Sequence, residues 1–310
     1  MPADTWSKRE LQLNEARTSP STDTVTCESW EDFKSRVYME SAEEIEGLVP
    51  IFRGHASSEW KLASRWERKL VWLCSGPKVR NVDRRSWDNI LGKILSDFRE
   101  LAVGLPGIKS RELEDIDWWA LGRHYGLMTP LLDWTKSPYV AAFFAFSDFA
   151  EQVSPGCTRD GSLDLREFLR ASSGKAVAIW AFRAGHDLEA KELEILNPRI
   201  DIGHRQRAQR GLFTRLNHNE SLDIEQYLSG LNPDDPPLRR YLVPGEETAK
   251  ALSDLRLMNI TFATLYPDLE GAAMQANFEL LYFALKTFSL VPRDVWEVLS
   301  TPSLISGDGA

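Results

Sequence analysis

Between Trp118 and Pro138 the chain sets His124, Tyr125, Thr129, Asp133, Thr135 and Ser137 among large apolar residues. A plain core segment has no use for so many polar groups; together they can hold a polar ligand. Upstream, Arg53 is followed by Gly54. A guanidinium stays charged and donates paired hydrogen bonds to phosphate or carboxylate. A glycine has no Cβ and lets a ligand approach the backbone. Each residue also has a plainer reading. Arg53 suits an ion pair, Asp133 a loop cap or an arginine partner, His124 and Tyr125 a hydrogen-bonded pair, and Trp134 core packing.

The elements that must position these groups can be read from periodicity. Trp30, Phe33 and Val37 share one helical stripe after Ser29. Residues 48–52 read as a strand leading into Arg53. Residues 59–73 read as a helix, 74–86 as a loop, and 87–104 as an amphipathic helix. A helix over 115–125 ends in a glycine turn, then Leu131 and Leu132 form a short strand, and a polar loop follows. Ser137 and Pro138 are a helix start: serine caps free N–H groups and proline is tolerated at the first position. The helix 138–151 is apolar nearly all round and should be buried. Its N-terminus, beside Thr135 and Ser137, suits an anion or polar ligand.

Downstream, residues 175–182 read as a strand, with extended segments at Arg199-Ile200 and 211–214. A short helix at 223–231 and a loop at 232–237 precede a strand at 239–243. Helices at 246–258 and 268–285 complete the pattern. Strands and helices mix without a regular βαβ repeat. That favours an α+β fold, a compact mixed or antiparallel sheet flanked by helices. Residues 1–24 read as a polar tail, 25–300 as one elaborated domain, and 301–310 as a second tail.

Composition narrows the function. Thirty-seven basic against 46 acidic residues give a net charge of -9, which disfavours a general nucleic-acid coat. A local basic groove remains open through Arg199, Arg205, Arg207, Arg210 and Arg215, with His204 among them. Cys27, Cys74 and Cys157 lie far apart, without a CxxC pair, and predict neither a disulfide frame nor a metal site. No apolar run approaches ~18 residues, and the N-terminus lacks a signal-like apolar stretch. A cytoplasmic protein is expected. Zinc motifs, P-loops and GxGxxG are absent.

Three blocks carry a resemblance. The first is Phe52-Arg53-Gly54-His55 with Trp60-Lys61-Leu62 and Arg65. The second is His124-Tyr125-Gly126-Leu127, Thr129, Leu131 to Thr135, Ser137-Pro138, Ala142 and Phe144-Ala145. The third is Arg199-Ile200, Gln209 and Gly211 to Thr214, with Leu265 to Gly271 as a closing motif. Together they resemble the FRG-domain family over roughly residues 48–275. Arg123 stands where that family usually has Gln, and Met128 and Pro130 replace its usual Pro and Arg around Thr129.

The FRG pattern is in turn similar to a divergent ADP-ribosyltransferase core. That resemblance implies an ADP-ribosyltransferase-like fold with NAD as substrate. It implies that Arg53 and Gly54 meet NAD and that Thr135 and Ser137 support the nicotinamide ribose. Gln209 would stand where a Glu is usual, and His124, Tyr125 and Asp133 would line the same cleft. Cleaving the nicotinamide–ribose bond builds positive charge that a carboxylate normally stabilises. Gln209 adds none, so Asp133 or Glu220 would have to compensate. The expected activity is transfer of ADP-ribose to a protein or nucleic-acid acceptor, in a toxin or phage-defence setting. Two alternatives stand beside it: a non-catalytic module recognising a nucleotide or nucleic-acid end, and an NAD glycohydrolase.

Overall fold

The computed structural model describes residues 23–42, 50–74, 84–105, 113–153, 165–183, 193–198, 204–216, 224–231 and 236–289. Arg199, Ile200, Glu220, Cys157 and most of both tails lie outside these. Among the described residues, seven strands form one mixed sheet. They are β1 (Asp23–Thr26), β2 (Ile51–His55), β3 (Leu131–Thr135), β4 (Ala176–Phe182), β5 (Leu193–Leu196), β6 (Gly211–Leu216) and β7 (Leu238–Pro244). Their order is β1-β7-β4-β2-β3-β6-β5. β1 runs parallel to β7, and the other neighbours are antiparallel. The expected α+β class with a helix-flanked mixed sheet is what the chain forms.

The helices are α1 (Trp30–Ala42), α2 (Arg65–Cys74), α3 (Arg84–Ala102), α4 (Asp115–His124), α5 (Pro138–Gln152), α6 (Leu165–Ser172) and α7 (Arg205–Ala208). They continue as α8 (Ile224–Leu231), α9 (Thr248–Leu257), α10 (Phe262–Leu265) and α11 (Leu269–Ser289). Strand alternation divides the core into two layers. Phe52, Val177, Ile179, Ala181, Tyr241 and Val243 face α1, α5 and α9. Ile51, Leu132, Trp134, Trp180, Phe182 and Leu238 pack on the other face with Ile224 and Leu228 of α8.

α5 is buried as expected. The Ser137 hydroxyl accepts from the Val140 N–H at 3.3 Å, and Pro138 takes the first helical position. In α1, Trp30 and Phe33 are fully buried and stack at 5.4 Å.

Several boundaries differ from expectation. Residues 59–64 are not helical. α2 begins at Arg65 because Ser64 and Glu67 close a reciprocal cap, Ser64 Oγ accepting from Glu67 N and Glu67 from Ser64 N. α3 begins at Arg84, inside the expected loop 74–86, and Cys74 ends α2. Asp133 and Thr135 belong to β3 rather than to a polar loop, because their backbone pairs with Phe213 and Gly211 of β6. Asp23 and Thr24, assigned to the tail, join β1 through pairing with Arg239 and Arg240. β5, at Leu193–Leu196, was not anticipated. No helix of the described residues is long and apolar enough to cross a membrane.

Candidate functional site

The sheet has a seam between β2 and β3. Phe52 faces Thr135, and beyond that pair the two strands part. β2 stays paired to β4 on its other side, and β3 to β6. A cleft of about 460 Å³ opens at the seam. Its walls come from β2, β3, β6, α4, α5, the α7 segment, Arg65 at the start of α2 and Tyr266.

Arg53 bridges the parted strands. Its Nη1 donates to the Asp133 backbone carbonyl at 2.8 Å, so the side chain replaces a ladder bond that the seam forgoes. The same nitrogen lies 3.4 Å from Asp133 Oδ2. Its Nε donates to His55 Nε2 at 3.0 Å. That bond requires Nε2 to be unprotonated. A neutral His55 then carries its proton on Nδ1, which lies 3.3 Å from the Trp60 carbonyl. The Trp180 indole N–H also points to Nδ1 at 3.2 Å; a neutral ring cannot accept there while Nε2 accepts from Arg53, so the two donors compete for one imidazole. Burial, with the Arg53 charge beside it, pushes His55 well below the usual histidine range and keeps it neutral.

Arg123 clamps Asp133 from the other side. Its Nε donates to Oδ1 at 2.6 Å, and its Nη2 pairs with Oδ2. Burial opposes ionisation of Asp133, but Arg123 and Arg53 outweigh it and hold the carboxyl below its usual value. Burial and the neighbouring Arg123 and Arg68 charges push Arg53 down to about 10, which leaves it charged at neutral pH. Arg123 Nη1 is buried and has no hydrogen-bond partner. Such an uncompensated donor costs roughly 1–3 kcal/mol. Sequence reading took Arg123 only as a departure from the family pattern; its spacing of ten residues from Asp133, across a glycine turn, was the available signal.

The structure brings Arg53, Gly54, His124, Asp133, Thr135 and Gln209 into this cleft. Tyr125 lies outside its lining, 66% exposed, with its ring edge-on to His124 at 4.8 Å. Ser137 is also outside the lining and caps α5. Gly54 lines the cleft and also serves packing. A Cβ there would collide with the Ala141 carbonyl, so the glycine lets α5 lie against β2. Thr135 donates its hydroxyl to the Gln209 backbone carbonyl at 2.6 Å and accepts from the Ser137 N–H at 3.1 Å. The Gln209 side-chain amide donates to the Leu265 carbonyl at 3.1 Å.

The anticipated arginine cluster is divided. Arg205 lines the cleft, with its Nε on Asp268 at 2.7 Å and its Nη2 on Glu270 at 2.7 Å. Its guanidinium also lies over the Tyr266 ring at 4.9 Å. Arg215 pairs with Glu194 at 2.7 Å, while Arg207 and Arg210 are exposed. Arg210 adopts a positive φ of 50°. Tyr266, from the closing motif, joins the wall edge-on to Phe144 at 6.2 Å, and burial pushes its phenol up to about 12. His124 is held below its usual value by burial and by Arg205. Cys27 is buried, and burial pushes its thiol up to about 12, which makes it a poor nucleophile. No cluster of metal-ligating residues occurs among the described residues.

No curated protein and no solved structure shows a significant match to the chain. The family comparison does find one. Residues 49–153 match the FRG domain model. That segment runs from the entry to β2 through the end of α5 and contains Arg53, Arg123, His124, Asp133 and Thr135. The match is to an FRG domain over that segment of the chain.

Proposed function

We propose that the cleft binds NAD and that the protein is an ADP-ribosyltransferase-like enzyme, cleaving the nicotinamide–ribose bond and transferring ADP-ribose to a macromolecular acceptor. One observation carries this reading. Arg53 and Arg123 bracket Asp133 at a sheet seam that opens into a cleft of about 460 Å³. Two guanidinia against one carboxylate favour an anionic ligand, and their fork geometry matches phosphate oxygens. Phe144 and Tyr266 supply an aromatic wall for a base or a nicotinamide ring. Asp133, in the cleft lining, is the carboxylate that would stand in for the one Gln209 lacks. A toxin or phage-defence effector would use such chemistry.

A specific observation favours a second reading, recognition of a nucleotide without turnover. The Thr135 hydroxyl and the Gln209 amide are both engaged with backbone carbonyls. Neither is presented as a catalytic group.

Incubation with labelled NAD and mixed protein, RNA and DNA acceptors separates the possibilities. Transfer labels an acceptor and releases nicotinamide. Hydrolysis releases nicotinamide alone, and recognition shows NAD binding by calorimetry without release. Arg53→Lys, confirmed as folded by its melting curve, should abolish turnover because an amine cannot reproduce the fork. Absence of both turnover and NAD binding would refute the proposal.

A further inference from the structure

We infer that Arg53 and Arg123 form a seat for a diphosphate group and that Asp133 sets its affinity by neutralising part of its charge. The inference rests on the cleft being a nucleotide site, but not on NAD being cleaved there.

The donor count leads to this view. Arg123 uses Nε and Nη2 on the Asp133 carboxylate, and Nη1 is buried without an acceptor. Arg53 uses Nε on His55 and Nη1 on Asp133. Its Nη2 has no hydrogen-bond partner among the described residues. Two guanidinia therefore share one carboxylate, with one positive charge and two donor nitrogens left over. Exposure orders the three groups. The Asp133 side chain is 41% exposed, against 18% for Arg53 and 19% for Arg123. An anion entering from the cleft meets Asp133 first and competes with it for the same nitrogens. His55 holds Arg53 from behind through Nε, which fixes the direction of the fork.

A carboxylate ligand would supply one charge and two oxygens. A diphosphate supplies more charge and acceptors on two linked centres, enough to meet both guanidinia at once. Asp133 is therefore the element that keeps affinity moderate. Replacing it with a neutral residue raises the net charge of the seat by one.

The two halves of this ion pair should respond in opposite directions. Calorimetry with ADP, inorganic diphosphate and adenosine on the full chain is the test. Arg123→Gln should weaken ADP by roughly tenfold or more through loss of a charge-assisted fork. Asp133→Asn should tighten ADP by about tenfold through removal of a competing charge. Adenosine should be affected by neither. A structural ion pair predicts instead that both substitutions weaken ADP together, and that result would overturn the seat.

Inorganic diphosphate displacing ADP from the unmodified protein is the second, variant-free arm. Failure to displace overturns the inference even if a variant misfolds. If ADP shows the opposed shifts while NAD is never turned over, the seat stands and the enzymatic reading falls. If NAD is turned over but Asp133→Asn fails to tighten ADP, the seat alone falls.

Discussion

The Thr135 hydroxyl donates to the Gln209 backbone carbonyl at 2.6 Å. Seventy-four residues separate the two in sequence. The bond ties the end of β3 to the α7 segment, while the Gln209 side chain reaches on to Leu265. Both residues shape the cleft wall by what they hold together.

Gln209→Glu follows from this geometry. A carboxylate cannot donate to the Leu265 carbonyl and would face it with like partial charge. The substitution should cost about 1–3 kcal/mol of stability and should not raise NAD turnover. Urea unfolding and nicotinamide release check the two halves. A faster enzyme would mean that Gln209 occupies a true catalytic carboxylate position.

Gly54→Ala should destabilise the fold by about 1–3 kcal/mol or more, the usual cost of overpacking. The added methyl meets backbone of α5, which cannot rotate away as a side chain can. The substitution would push α5 off β2 and widen the seam. A melting temperature equal to that of the unmodified protein would contradict this account.

His55 predicts a pH dependence of stability. Its folded value lies well below the unfolded value of 6.5. The unfolded chain therefore takes up the proton first as pH falls. The stabilisation is complete above about pH 6.5 and declines as pH drops toward the folded value, by about 1.4 kcal/mol per pH unit at most. His55→Gln, which can still accept from Arg53 Nε, should flatten this part of the curve. Unfolding at pH 7, 6 and 5 for both proteins gives the comparison.

Arg205→Ala should loosen the Tyr266 wall. Arg205 joins Asp268 and Glu270 to the Tyr266 ring, and both carboxylates reach solvent. Nucleotide affinity should fall in the variant. Raising salt from roughly 0.05 to 0.5 M should reproduce part of that fall in the unmodified protein, because screening acts on exposed charges. Calorimetry with ADP at the two salt concentrations, on both proteins, is the check. Equal affinities for the variant and the unmodified protein would leave Arg205 without a role in the cleft.

Local interactions were legible in the amino-acid sequence. Ser137 and Pro138 start α5 because a cap and a proline act within one turn. The apolar run of α5 and the apolar stretch of β4 report burial directly, since burial selects residue type position by position. Of the polar residues singled out from His124 to Ser137, His124, Asp133 and Thr135 line the cleft, and Tyr125, Thr129 and Ser137 do not. α2 carried a start signal in Ser64 and Glu67 that the expected helix over 59–73 passed over.

Tertiary structure decided what the polar groups do. Arg53 and Asp133 are 80 residues apart, and only the parting of β2 from β3 leaves the Asp133 carbonyl for a guanidinium to take. Gly54 reads the same whether a ligand or a helix approaches it; the position of Ala141 shows that a helix does. Arg123 reads as a substitution until Asp133 is placed against it. A side chain's charge is a property of the chain, but its partner is a property of the fold. Long-range pairing therefore converts the cleft residues from a set of candidates into two guanidinia closing on one carboxylate.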